Sequence, residues 1–320
     1  MNSPALLPGA ICAWLTKHRS CSVRHALACA VLHPGVTMAR THQTLRLSAL
    51  LFGAAAVSCS DYRSEAAAPH HDIEIVASGI TYVDGLAFHP SGAILATEEY
   101  RGGGLLRVDP VSGSYTRLLR DLDDPDNVLV FRGSVYITEE AALGRIIKID
   151  NRQQITTFAT DLEDPEGLDV GPDDKLYVAE HAPNGHVYRY ALDGTRELFG
   201  SVQDGEGLRV LPDGSVIVAE TSAGRIARFL PDGTKTTLSE GALTSPDGVR
   251  YDPVLDRLLV TEDAAPGRML QVDLVNGGIT VVATGLNAPQ TMLIEKDGSI
   301  LVAEQGEDRI LRLRPKEQAQ

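Results

Sequence analysis

Gly207-Leu208-Arg209-Val210, the turn Pro212-Asp213-Gly214 and Ser215-Val216-Ile217-Val218-Ala219 read as two short apolar strands joined by a hairpin. The chain then loops to Arg225-Ile226-Ala227-Arg228-Phe229, turns at Pro231-Asp232-Gly233 and leaves along Thr234-Lys235-Thr236-Thr237-Leu238. Four antiparallel strands in about 40 residues describe one propeller blade. Asp213 and Asp232 belong to the turns, where glycine supplies the backbone freedom and aspartate bonds the local amides.

Outward from this stretch the same unit recurs, marked by two acidic registers. The first precedes a glycine or another small or polar residue at the start of each innermost strand: Asp84, Asp126, Glu166, Glu206, Asp247 and Gln290. The second closes each second strand: Glu98, Glu139, Glu180, Glu220, Glu262 and Glu304, at steps of 41, 41, 40, 42 and 42 residues. A period of that length built from strands predicts a solenoid or propeller. The ends decide for closure. The sixth repeat runs out after a third strand near Ile310–Leu313, while Ile73–Ile80 stands before the first repeat without a blade of its own. The N-terminal strand is expected to complete the last blade and remove the open edges. The expected fold is all-β, a six-bladed propeller over residues 72–315 with a short tail at 316–320.

The segment before the repeats has a different character. All four cysteines, the single tryptophan and five basic residues lie in positions 1–59, with no acid. Residues 38–59 combine Arg40 and Arg46 with the apolar run Leu47–Val57, which reads as an export signal too short to span a membrane. Its end, Ala56-Val57-Ser58-Cys59, resembles a bacterial lipobox, making Cys59 a candidate for lipidation and the protein a candidate periplasmic or cell-envelope lipoprotein. Residues 1–37 then read as an overextended start or leader, and 60–71 as a polar tether. The propeller has no cysteine, so disulfides have no part in its stability.

Residues 60–320 hold all 43 acidic and 24 of the 29 basic side chains, a balance of −19 with histidines neutral. Such a domain repels nucleic acid and anionic membrane and attracts cations. In a propeller both acidic registers fall on one face, the first around the channel mouth and the second further out. Four outer glutamates have an arginine five or six residues on (Arg145, Arg225, Arg268 and Arg309), which predicts exposed ion pairs of about 0–1 kcal/mol each. Glu180 is followed instead by His181 and His186, and Glu98 meets Leu105 in that slot, with Arg101 as a substitute. Glu98, Glu180 and His181 therefore join Asp126 and Gln290 as candidate ligand contacts. Five acids converging on one mouth repel one another, and a bound cation relieves that cost. Oxygen donors without cysteine favour Ca²⁺, with Mg²⁺, Mn²⁺ or Zn²⁺ as alternatives.

Val83-Asp84-Gly85-Leu86, Pro165-Glu166-Gly167-Leu168, Gly205-Glu206-Gly207-Leu208 and Pro246-Asp247-Gly248-Val249 resemble the innermost-strand starts of the gluconolactonase, regucalcin and senescence-marker-protein group of six-bladed propellers. The resemblance spans all six repeats. It implies a metal-dependent hydrolase of a lactone or related ester, with Asp84, Glu166, Glu206 and Asp247 around one divalent cation and Asp247 as general base; Asp126 and His181 are the fallback bases. The group mixes asparagine with its acids, whereas this chain has acids throughout. Gly224-Arg225-Ile226 also resembles NHL-repeat propellers and streptogramin lyases. Two further functions therefore stay open: a non-catalytic propeller that binds a ligand or protein, and an elimination lyase. A monomer acting on a small molecule is the expected arrangement.

Overall fold

The computed structural model describes residues 66–141 and 143–316. The expected signal segment, Cys59 and the start of the tether lie outside the described residues. Six four-stranded antiparallel sheets follow one another along the chain, and no α-helix occurs among the described residues. Five sheets are consecutive meanders. The sixth takes three strands from the C-terminus and its outermost strand, His71–Ser78, from the N-terminus. That strand pairs with Arg309–Pro315 from His71↔Pro315 to Ser78↔Arg309, so the expected closure is present. A further contact joins the chain start to blade five, where Ala67 exchanges both backbone hydrogen bonds with Thr284 at 2.8 and 2.9 Å.

The apolar patterning follows from where each strand lies. Second strands such as Val216–Glu220 are buried at every residue, because neighbouring blades cover both faces of each sheet. They therefore read as continuous apolar runs rather than alternating ones. Outermost strands such as Lys235–Glu240 face water along most of their length and are largely polar. The core consists of the seams between blades. One seam packs Ile94, Leu106 and Val108 of blade one against Leu293, Leu301 and Ile310 of blade six, sealing the ring. The Pro-Asp-Gly turns behave as expected: Asp213 Oδ1 accepts the Ser215 amide at 2.9 Å, Asp232 Oδ1 accepts that of Thr234 at 2.9 Å, and Gly214 and Gly233 have φ of 81° and 84°.

Candidate functional site at the channel mouth

Each innermost strand carries a bulge at its start. In blade four Gly205 pairs with Glu220 and Leu208 with Val218, so one extra residue is accommodated between them; the same shift occurs in the other five blades. A bulge re-aims a side chain, and here the re-aimed residue is the inner acid or Gln290. The small residue after it is required by close packing. A Cβ on Gly85, Gly167 or Gly207 would lie 2.3 Å from the carbonyl oxygen of Asp126, Glu206 or Asp247 in the next blade, and one on Gly248 2.5 Å from that of Gln290. The acid–glycine pair is thus a seam of the ring as well as a feature of the mouth. Thr97, Thr138 and Thr261 add ties across these seams by donating to the Asp126, Glu166 and Gln290 carbonyls.

A third set of residues reaches the same mouth. The residue after each outer glutamate is Glu99, Glu140, His181, Thr221, Asp263 or Gln305, and its amide donates to a carbonyl at the preceding loop: Tyr82, Asp124, Asp164, Asp204, Ser245 or Ala288, at 2.8–3.0 Å. Those six acceptors have φ between 46° and 51°. Three are aspartates, a residue that tolerates the left-handed region better than most. These bonds hold the third register against the first.

The result is two clusters. Asp84, Glu99 and Asp126 can each bring a carboxylate oxygen within 4.8 Å of the others, and so can Glu140, Asp164, Glu166 and His181 with one ligand atom apiece. His181 stands between carboxylates: Nδ1 is 3.2 Å from Glu166 Oε1 and 3.7 Å from Asp164 Oδ2, and Nε2 is 3.5 Å from Glu206 Oε1. Burial, with repulsion from Asp126, Glu99 and Asp247, holds the Asp84 carboxyl well above the usual range. Gln305 Nε2 donates to Asp84 Oδ2 at 3.2 Å and to Glu99 Oε2 at 2.5 Å. Across the mouth the Gln290 carboxamide, nitrogen towards Asp247, donates to both carboxylate oxygens at 2.7 and 3.2 Å.

The four acids expected around a single cation all line one cavity; among them Asp84 belongs to one cluster, Glu166 to the other, Glu206 flanks His181, and Asp247 is held by Gln290. Both clusters suit a cation chemically, the first through hard oxygen donors alone and the second through oxygens and one imidazole. Glu99, Glu140 and Asp164 were not among the sequence candidates. His181 was, and the structure places it beside Glu166.

The outer ring requires two corrections. Glu98 is not left without a cation: Arg117, from the outermost strand of blade one, pairs with it, while Arg101 lies 3.4 Å from Asp123. Glu180 is bonded by the Glu163 amide at 2.9 Å and His186 Nδ1 at 3.0 Å. Glu180 repeats the arrangement at the other four, where a backbone amide of the preceding loop and the expected arginine bind the carboxylate, with His186 in the arginine's place; Glu98 has an arginine but no loop amide among the described residues. The pairs are also not exposed, since the six outer glutamate side chains are 0–5 % accessible. Five of them pin loops to strands, Glu180 included, while Glu98 ties two strands of blade one through Arg117.

No family model matches the chain, and no curated protein does. Solved structures do. A gluconolactonase from Xanthomonas campestris, XC5397, superposes with a TM-score of 0.67 at 15 % identity, covering 77 % of this chain and 90 % of that one. Catalytically inactive virginiamycin B lyase from Staphylococcus aureus, a histidine-to-alanine variant with quinupristin, gives 0.58 at 14 % identity, covering 77 % and 100 %. A chain of the nidogen–laminin complex gives 0.56 at 20 % identity, covering 63 % and 79 %. A lactonase, a lyase and a component of a protein complex share this architecture, and at such identities the likeness is one of fold: the chain is a six-bladed propeller similar to gluconolactonases and streptogramin lyases.

Proposed function

We propose that this protein is an exported, lipid-anchored hydrolase of a small lactone or related ester, assisted by a divalent cation at the channel mouth. The observation that carries the reading is the convergence of Glu140, Asp164, Glu166 and His181 beside Glu206. Such a set, buried at Glu140 and Glu166, concentrates negative charge and an imidazole where a small ligand enters. A cation there supplies polarisation of a carbonyl oxygen and a more acidic water. The chain's own residues do the rest. Glu140, Asp164 and Glu166 would hold the cation, while Glu166 Oε1, 3.2 Å from His181 Nδ1, accepts from it and leaves Nε2 to take a proton from water. That geometry makes His181 the base in this reading in place of Asp247, whose oxygens both accept from Gln290. Burial and the neighbouring carboxylates favour the protonated form of Asp84, and positive charge at the mouth opposes that.

The test is hydrolysis of glucono-1,5-lactone by the full chain, followed by acid release, with chelation and cation add-back. Loss on chelation, recovery on add-back and loss in His181→Ala and Glu166→Gln are expected. Turnover indifferent to chelator and to both substitutions would overturn the reading. A second reading, elimination, is favoured by the same histidine and by the likeness to virginiamycin B lyase. Labelled water separates the two, because hydrolysis incorporates its oxygen and elimination does not.

A further inference from the structure

Below the acidic mouth the channel changes sign. One cavity of about 300 Å³ runs along the innermost strands from the inner acids Asp84, Asp126, Glu166, Glu206 and Asp247, and three residues beyond them its walls carry Ala87, Leu129, Asp169, Arg209 and Arg250. The bulge at each strand start makes that three-residue step possible, since one residue of the three is taken up by the bulge. The two arginines share one carboxylate, and that carboxylate is already committed. Asp169 Oδ1 receives Arg209 Nη1 at 3.0 Å, and Asp169 Oδ2 receives the Val210 amide at 2.8 Å. Asp169 itself is 2 % exposed.

What remains is unmatched donor capacity. Arg209 Nε is buried and has no acceptor. Arg250 forms neither a hydrogen bond nor an ion pair among the described residues, although it lies inside the channel. Burial and the neighbouring Arg209 push its pKa down to about 9, against the pull of Asp169, so it is charged at neutral pH. Two guanidinium groups against one carboxylate leave this level of the channel positive, while the five inner acids line the mouth end of the same cavity. Arg250 is half-buried, so its charge is held partly out of water without a counter-ion of its own.

We infer that the channel contains an oxyanion site, in which the Arg250 and Arg209 guanidinium groups bind the carboxylate or phosphate group of a small ligand. The planar fork of arginine matches either group through paired N–H donors. The cavity has room for a small organic acid, at the lower end of the range of ligand pockets. Arg250 lies roughly 7 Å along its strand from Asp247, two strand rises once the bulge is discounted, so an acid bound there extends towards the mouth. The inference does not rest on a cation or on catalysis at the mouth.

Thermal unfolding of the chelator-treated full chain tests it, with inorganic phosphate and succinate as separate probes at ionic strength matched with potassium chloride. A probe present at a hundredfold excess over its Kd should raise Tm by ~5–10 °C. A response to phosphate alone assigns the site to free inorganic oxyanions, and a response to succinate to carboxylates. Arg250→Met should abolish the shift while unfolding no lower than wild type in potassium chloride alone, because an uncompensated charge has been removed. Arg152→Met, at an exposed position, should keep the shift. Arg250→Lys keeps the charge without the fork and should weaken the responding probe at least tenfold by calorimetry, which decides the matter if Arg250→Met does not fold. A Tm indifferent to both anions, a shift that survives Arg250→Met, or equal affinity in Arg250→Lys would overturn the site.

Discussion

Replacing Glu220 by glutamine tests the outer ring as structure. Its side chain is 0 % accessible and accepts from Arg225 Nε at 2.5 Å, Lys235 Nζ at 2.6 Å and the Gln203 amide at 2.7 Å. Breaking a buried ion pair from one side costs about 3–5 kcal/mol. Arg225 and Lys235 keep 26 % and 31 % of their side-chain surface in water, so part of their charge is rehydrated and the lower end, ~3 kcal/mol, applies. For a domain of this size that is a fall in Tm of roughly 6–12 °C. Urea unfolding of the full chain at neutral pH measures it, and a cycle with Arg225→Met isolates the coupling. Burial works to raise the Glu220 pKa, but Arg225, Lys235 and the Gln203 amide together lower it. Its contribution is therefore present above the unfolded value, about 4.3, and fades as pH falls through the folded one. A loss below 1 kcal/mol, as for an exposed pair, or a loss that persists undiminished in acid, would refute the reasoning.

Four further outcomes are expected. Gly207→Ala places a Cβ 2.3 Å from the Asp247 carbonyl oxygen and 2.8 Å from the Val249 amide nitrogen, and should cost about 3 kcal/mol in urea unfolding because only backbone can yield. The raised pKa of Asp84 means that the folded, chelated chain holds a proton which the unfolded chain loses above about pH 3.9. Its stability should decline from there as pH rises through the folded pKa, and Asp84→Asn or a saturating divalent cation should flatten the decline. Calcium should raise Tm in wild type and in Glu220→Gln but not in Glu166→Gln, and equal shifts in all three would refute the placement of a cation at the mouth. Cys59→Ser should move the protein from the membrane to the soluble fraction of a bacterial envelope, and unchanged fractionation would exclude the lipid anchor.

Sequence alone determined the ring. A strand-turn-strand pattern returning every 40 to 43 residues allows a solenoid or a propeller, and an orphan strand at one end with a missing strand at the other states that the ring closes. It also determined the two acidic registers, because five of the six blades use the outer glutamate to pin a loop and four of the six need glycine after the inner residue to pass the next blade. The site depended on tertiary structure. Glu99 and Glu140 stand where three other blades have His181, Thr221 and Gln305, and Asp164 where three others have Tyr82, Ser245 and Ala288, so the repeat marks these positions only in part; backbone bonds to left-handed loop residues bring them to the mouth. Arg117 meets Glu98 across 19 residues rather than five or six, a pairing that linear spacing does not contain. Arg209 and Arg250, 41 residues apart in chain order, look like ordinary strand residues until the ring closes. Periodicity records what all blades share, whereas function lies in the positions where they differ, and only closure makes those positions neighbours.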